Sequence, residues 1–488
     1  MILLLLAPIA AGLFCLASAS RAAWERLNLG AFGIVAVLTI RIALHVSARG
    51  PVSAFDGFIR ADALSALVLL LTGLVSLACA IYAVGYFRRE ETAGRVSCVQ
   101  LRRYYVLTPL FVCAMLLAPI VDNLGVMWLA IEAATLASVL LVTFYNKKAS
   151  LEAGWKYIII GSIGVSLALF GTVFVYYAAV GLPGTETRGG MNWSVLMTAA
   201  DKLNPQAMRL AFILALLGYG TKAGLAPMHT WKPDAYAEAP VPAAALLGAA
   251  FINCAIYAIM RFDTLAEKCL GHDFSGHLLA EFGVGSILLA APFVIVQRNF
   301  RRLLAYSSID HAGIMVAGLG FGGKFGVLGA ALHMLFHAVT KPLLFFCAGN
   351  VQQRFSTPYF RKVRGVIHAL PCTAALFFMV TLAVTGLPPF GIFQSEFNVL
   401  SGALAAHDDC MASLFVIGIV AIFAGFLIHV SNLCLGAPAR PSPILTESPW
   451  QLTAMAFVSL GILGLAFWIP GWLYHLVGQS AQILGGNP

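Results

Sequence analysis

The chain has 488 residues, of which 60% are hydrophobic and only 10% are charged, and its mean hydropathy is +0.88. A soluble domain carries roughly 25% charged residues, so this composition excludes a soluble protein and indicates a polytopic membrane protein. The net charge of +9 then indicates basic loops at the membrane surface, and no nucleic-acid partner is expected.

The first apolar run has no basic segment ahead of it, and we interpret it as a membrane span and not as a cleaved signal peptide. A membrane-crossing helix needs about 20 apolar residues. The predicted fold is therefore all-α and polytopic, with about fourteen transmembrane helices. We place them at residues 2–20, 29–47, 62–86, 104–121, 123–145, 156–180, 207–227, 241–262, 279–297, 302–320, 325–350, 366–404, 412–436 and 450–477.

The basic residues predict the orientation of the chain. Loops after odd-numbered spans hold eighteen Lys and Arg residues, among them Lys232, Arg301 and Arg440, whereas loops after even-numbered spans hold eight. Loops rich in Lys and Arg face the cytoplasm. Both termini are therefore predicted on the non-cytoplasmic side of the membrane.

Two predicted spans contain helix-breaking residues. Span seven is interrupted near Gly224 and Pro227, and span twelve is too long for one crossing and contains GLPPFG. Irregular backbone at membrane depth is tolerated only where it lines a cavity or is buried in protein. Broken helices in corresponding parts of two halves predict two inverted five-helix repeats. The predicted segments are residues 1–103 with spans one to three, 104–262 and 263–436 with the two repeats, and 437–488 with span fourteen.

We assign four cations to the spans, namely Arg41, Lys156, Lys222 and Lys341, and count Arg209, Arg261 and Arg302, at span ends, with the loops. Arg41 and Lys156 lie near span ends, where a long side chain can reach the lipid headgroups. Lys222 and Lys341 lie deeper, and a lysine at the bilayer centre costs about 2.5–3.5 kcal/mol. A lysine with a purely structural role would hardly be kept at this cost without a partner or a hydrated cavity. Both lysines are therefore candidate functional residues.

Glu132 lies near the middle of span five, in the stretch DNLGVMWLAIEAATLASVLLVTFY. One interpretation is a buried carboxylic acid that stays neutral. The interpretation we favour is an ion pair with Lys222 across two helices, because the paired groups can hold both charges and respond to a passing proton.

A polar stripe runs along span eleven. His333, His337 and Lys341 recur every four residues in GAALHMLFHAVTKPLLFF, and each step advances only about 40° around a helix. Titratable groups in line are typical of a proton relay. A metal or haem site on the paired histidines is the alternative, although the chain has no HExxH motif and no second histidine pair.

Glu396 follows the predicted break of span twelve, in GLPPFGIFQSEFNVL. It is either a helix-start carboxylate stabilised by the dipole of the second half-helix or, as we favour, part of a gated exit. The ten cysteines are scattered without a CxxC pair, which argues against iron–sulfur ligation or thiol redox chemistry in this chain. No cofactor or metal is expected within it.

Several stretches resemble a known superfamily. They are GYGTKAGLAPMHTWKPDAYAEAP, RRLLAYSSIDHAG, LHMLFHAVTKPLLFFCAGNV and GLPPFGIFQSEF, and they are similar to the antiporter-like proton-translocating subunits of respiratory complex I, Mrp-type sodium/proton antiporters and group 4 NiFe hydrogenases. The resemblance covers roughly residues 100–435. Within this superfamily, the sequence most resembles the hydrogenase-4 component F branch, of the formate hydrogenlyase type.

The resemblance implies a Lys/Glu pair between spans seven and five, a hydrated axis through spans eight and eleven, and a charged residue in span twelve. Glu132, Lys222, His333, His337, Lys341 and Glu396 match these proton-translocating positions, with His229, Asn253 and Lys156 in support. Asn253 departs from the pattern, since complex I relatives often carry a lysine there. An amide cannot hold a proton at neutral pH and could only orient water.

The resemblance also implies partners. A NiFe centre and iron–sulfur clusters are expected in partner subunits, within a peripheral redox arm, alongside other membrane subunits and the lipid bilayer. The predicted function is therefore proton translocation coupled to electron transfer in a hydrogenase-4-like complex. Two alternatives stay open: the equivalent subunit of a quinone-reducing complex I-like or Mrp-type complex, and a non-pumping membrane scaffold for a soluble redox arm.

Overall fold

A computed structural model describes residues 1–182, 189–438 and 446–485 of the chain. Arg440, one of the cations used to predict the orientation, lies outside these residues. The N-terminal part contains the short antiparallel strands β1 (Val52–Ala54) and β2 (Ile59–Ala61). Its helices are α1 (Ile2–Ala17), α2 (Arg21–Arg49), α3 (Ala63–Thr92), α4 (Cys98–Ile120), α5 (Leu124–Val142), α6 (Lys148–Ala179), α7 (Trp193–Thr198), α8 (Pro205–Ala223) and α9 (Lys232–Glu238).

The remaining helices complete the bundle. A π-helical turn, Leu247–Phe251, joins the first two of them into one continuous helical segment. They are α10 (Val241–Leu246), α11 (Ile252–Leu270), α12 (His272–Ile295), α13 (Phe300–Phe321), α14 (Gly323–Phe355), α15 (Pro371–Val384), α16 (Gly391–Ala405), α17 (Asp409–Leu435), α18 (Pro449–Phe467) and α19 (Gly471–Ile483).

In the described part of the chain, ten helices are long and apolar enough to cross a membrane. The predicted all-α membrane class is confirmed. Helices α1 and α15 are apolar but shorter, and they fall outside that count. Helices α8 and α13 also fall outside it, and both carry buried polar side chains. Several helices lie at the centre of the bundle, because the apolar windows of α10–α11 and α14 are 100% and 94% buried.

Both predicted breaks are present. Helix α8 ends at Ala223, where Gly224 adopts a left-handed conformation with φ 76°. Helix α15 ends at Val384 and α16 begins only at Gly391, so the predicted twelfth span consists of two half-helices. Glycine tolerates the positive φ of a helix C-terminus, and the prolines that follow cannot continue a helix.

Small residues let the helices around the first break pack closely. A Cβ atom on Gly218 of α8 would lie 2.6 Å from the carbonyl oxygen of Gly164 on α6. Only glycine therefore permits this backbone approach, a form of contact that is common between membrane helices. The close packing fixes the position of the last turn of α8, which carries Lys222.

Two cations that the sequence assigned to loops are buried. Lys232 is 0% exposed and Arg301 is 2% exposed. Arg301 donates from Nη2 to the carbonyl oxygens of Tyr236 and Ala239, at 2.7 and 2.5 Å. The assignment of both residues to surface loops was wrong. The segment after the first break packs into the bundle with Lys232, and Arg301, in the first turn of α13, binds the carbonyl groups at the end of α9.

Candidate functional site

The first centre of the site is the pair of Lys222 and Glu132. Lys222 Nζ lies 3.6 Å from Glu132 Oε2, with 0% of the lysine side chain and 21% of the glutamate side chain exposed. A Cβ atom on Gly161 of α6 would lie 2.9 Å from this Nζ, so a glycine provides the space that the ammonium group occupies. The aromatic ring of Tyr157 lies 6.0 Å from Nζ, at the limit of a cation–π contact.

The second centre is a cluster of three histidines on two helices. His311 of α13 lies between the two histidines of α14, with ring centroids 5.0 Å from His333 and 5.2 Å from His337. The rings of His333 and His337 are 6.5 Å apart. The predicted stripe on α14 is therefore joined through a residue of the neighbouring helix.

The hydrogen bonds of this cluster indicate which ring nitrogens donate and which accept. The hydroxyl of Ser395 donates to the carbonyl oxygen of Ile392 at 2.8 Å, so it accepts at 2.9 Å from His333 Nδ1. A neutral imidazole that donates from Nδ1 accepts at Nε2. His333 Nε2 therefore accepts from His311 Nδ1, which lies 2.8 Å away. The second nitrogen of His311 and both nitrogens of His337 are buried without a hydrogen-bond partner among the described residues.

Lys341 lies one turn beyond His337 on α14 and is fully buried. Its Nζ donates to Ser307 Oγ of α13 at 2.8 Å. Asp310, on the same helix as that serine, is 3% exposed, and its Oδ1 has no hydrogen-bond partner in the described part of the chain. The lysine thus faces α13, and the polar interior of the site is built as much from α13 as from α14.

Glu396 lies on the second half-helix of the broken span, α16. Its carboxylate packs against Gly386 in the break, where φ is 71° and a Cβ atom would displace the carboxylate. The same carboxylate borders a cavity of about 210 Å³ whose other walls include Phe393, Phe397 and Leu400. Glu396 is therefore a carboxylate in an otherwise apolar crevice at the side of the bundle.

The three supporting residues have different surroundings. Asn253 is fully buried and donates from Nδ2 to the carbonyl oxygen of Ala249 at 3.0 Å. His229 is 6% exposed, and its ring centroid lies 6.4 Å from that of Tyr306. Lys156 does not join the buried cluster, because its half-exposed side chain binds Asp234 at 2.9 Å and Glu152 at 2.7 Å.

Four residues of this interior were not singled out from the sequence: Lys232, Ser307, Asp310 and His311. Asp310 and His311 lie inside a predicted span, so the criterion of depth that marked Lys222 also applies to them. Lys232 gave no such signal, since it adjoins Pro233 and Asp234 in a polar stretch. Within the described residues, no group of three His, Cys, Asp or Glu side chains is arranged to hold a metal ion.

A mostly helical membrane bundle with a buried Lys/Glu pair at one broken helix and a glutamate in another is the arrangement that the resemblance implied for an antiporter-like membrane subunit. Residues 121–422 match the family described as NADH:quinone oxidoreductase/Mrp antiporter, TM. This match spans more than half of the chain, and the chain belongs to that family. The resemblance inferred from the motifs is confirmed, and the protein is an integral membrane protein.

Individual proteins are also similar to the chain. A hydrogenase-4 component F homolog from Methylacidiphilum infernorum is 37% identical over 385 residues, which cover 79% of this chain and 80% of the relative. NADH-quinone oxidoreductase subunit N from Desulforudis audaxviator is 27% identical over 420 residues, 84% of this chain and 81% of the relative. A chain of the membrane-bound sulfane sulfur reductase, an archaeal respiratory membrane complex, has the same fold, with a TM-score of 0.88 at 20% identity over 99% of this chain and 97% of that chain.

Proposed function

We propose that this chain moves protons across a bacterial inner membrane as a subunit of a hydrogenase-4-like complex. The observation that carries the proposal is the contact between Lys222 Nζ and Glu132 Oε2, at the end of a broken helix. Such a pair can exchange between an ion pair and separated neutral groups when a proton passes. The hydrogenase branch is favoured by the component F homolog, which is the more similar of the two relatives described above.

The architecture of the proposal includes fourteen crossings and two inverted repeats, residues 104–262 and 263–436, with both termini on the non-cytoplasmic side. The corresponding breaks after Ala223 and Val384 support the repeats. Segments 1–103 and 437–488 then flank the two repeats. Lys222 lies at the first break and Glu396 beyond the second, so the broken helix of each proposed repeat carries a charged group of the path.

Energy for transport must come from partner subunits. Moving one charge against 100 mV costs about 2.3 kcal/mol, so proton transport must be coupled to an exergonic reaction. We assign electron transfer to a peripheral arm with a NiFe centre and iron–sulfur clusters. The subunit N relative supports an alternative, a quinone-reducing complex I-like assembly. Mass spectrometry of co-purifying subunits separates the two, because only the first contains a NiFe large subunit.

The decisive experiment replaces Lys222. We expect Lys222→Met to uncouple proton movement from redox turnover while turnover continues. Lys222→Arg should not rescue it, because a guanidinium cannot release its proton near neutral pH. Redox turnover and vesicle acidification are measured on the same preparation. Wild-type acidification per turnover in both variants would reject the coupling mechanism and leave a non-pumping scaffold as the better account.

A further inference from the structure

Lys232 is a buried amine without a fixed counter-ion. It is the first residue of α9, directly after the break that ends α8, and it is 0% exposed. Its Nζ donates to the carbonyl oxygen of Ala223 at 2.6 Å and to that of Ser308 at 3.2 Å. Among the described residues, no carboxylate forms an ion pair with it. A buried ammonium group without a counter-ion is costly, so a purely structural position would be better served by an apolar side chain.

The two carbonyl groups belong to the two halves of the site. Ala223 directly follows Lys222, the lysine of the first centre. Ser308 directly follows Ser307, whose hydroxyl accepts a hydrogen bond from Lys341. A single side chain therefore contacts the backbone next to Lys222 and the backbone next to the serine that binds Lys341.

The break itself makes room for this side chain. Gly224 has a left-handed φ of 76°, and a Cβ atom there would lie 3.0 Å from Lys232 Nζ and 2.5 Å from its Cδ. The conformation and the space both require glycine. The helix break thus places the amine in the interior, between α8 and α13.

The proposed function requires a titrating group between the two centres of the site, where Lys232 lies. Asn253, in the middle of the predicted path, has an amide that cannot carry a proton. We propose that Lys232 is the proton-carrying residue that joins the Lys222–Glu132 pair to the cluster of His311 and Lys341. This inference rests on the proposed function of the chain.

In this role, the Nζ amine accepts a proton that leaves the Lys222 side and becomes an ammonium group. It then releases the proton to the Lys341 side and returns to the amine, so that only N–H bonds form and break. Both forms can donate to the two carbonyl oxygens. Because no carboxylate holds the proton on Lys232, the charge of its neighbours decides where the proton goes.

The test compares three variants of the complete complex in inverted membrane vesicles. Lys232→Met removes the titrating group with little change of volume, Lys232→Arg keeps the charge and the donors but retains its proton, and Lys324→Met is the matched control at an exposed lysine. Subunit composition, redox turnover and the rate of acidification are measured together. A residue that only supports the structure would change the amount of complex and leave acidification per turnover unchanged.

We expect Lys232→Met and Lys232→Arg to assemble and to lose acidification by about 100-fold, the lower end of what a positioned proton-transfer group contributes. Wild-type acidification per turnover in an assembled Lys232→Met or Lys232→Arg complex would overturn the proposal. Failure of both variants to assemble would assign Lys232 a structural role and also overturn it. Normal acidification in Lys222→Met would instead reject the proposed function of the whole chain.

Discussion

His311 Nδ1 lies 2.8 Å from His333 Nε2, and this contact joins helices α13 and α14 in the interior of the bundle. Neither ring is exposed by more than 1%. A buried imidazole that is hydrogen-bonded to a second imidazole can pass a proton to it without a large movement of either helix. The proposed proton path through residues 263–436 therefore includes α13 as well as α14.

The first prediction concerns His311. We expect His311→Leu to reduce acidification per turnover as strongly as the double replacement of His333 and His337 by leucine, because each change interrupts the same buried chain of titrating groups. The comparison uses inverted vesicles with matched amounts of assembled complex. His277→Leu, at an exposed position on α12, is the control. Unchanged proton uptake in the double variant would refute the relay, and unchanged uptake in His311→Leu would exclude α13 from it.

The contrast between Glu132 and His311 shows what the sequence could predict. Glu132 and Lys222 are isolated charges in long apolar runs. The cost of placing a charge in the membrane is therefore enough to predict that they are paired. The two breaks follow from glycine and proline chemistry. His311 shares a helix with several polar residues, and only the packing of α13 against α14 selects it from among them. The burial of Lys232 could be recognised only from the tertiary fold, because a polar stretch after a break normally leaves the bilayer.

The second prediction concerns Glu396. Glu396→Gln keeps the size and most of the hydrogen bonding of the side chain but removes its charge, so we expect assembly to survive and acidification to fall. The control is Asp409→Asn, at an exposed position at the start of α17. Subunit composition and acidification are measured on the same purified complex. Loss of subunits from the Glu396→Gln complex would show that this carboxylate is structural and not a gate.

The third prediction tests the packing that positions Lys222. The added methyl group in Gly218→Ala would lie 2.5 Å from the backbone nitrogen of Ala168 and 2.6 Å from Gly164 O. Helices α6 and α8 must separate, at a cost of about 1–3 kcal/mol. Gly285→Ala, with no atom within 4 Å of the new methyl group, should be neutral. Thermal unfolding of the detergent-purified complex compares the two, and equal midpoints would contradict this account of the helix contact.

The last prediction separates the stability of the Lys222–Glu132 pair from its role in transport. Glu132→Gln removes the carboxylate and leaves the fully buried lysine without a counter-ion. An unsatisfied buried polar group costs about 1–3 kcal/mol, so we expect Glu132→Gln to destabilise the protein by about that amount. The double variant Glu132→Gln with Lys222→Met removes both members of the pair.

Because the double variant leaves no unpaired charge at this site, we expect it to be more stable than Glu132→Gln alone. It should nevertheless fail to acidify vesicles, since neither titrating group is left. A double-mutant cycle on unfolding midpoints measures the interaction between the two side chains, and acidification per turnover is recorded for each corner of the cycle. Additive changes in stability would show that the two groups do not interact across their 3.6 Å separation. Restored acidification in the double variant would show that the pair does not carry protons.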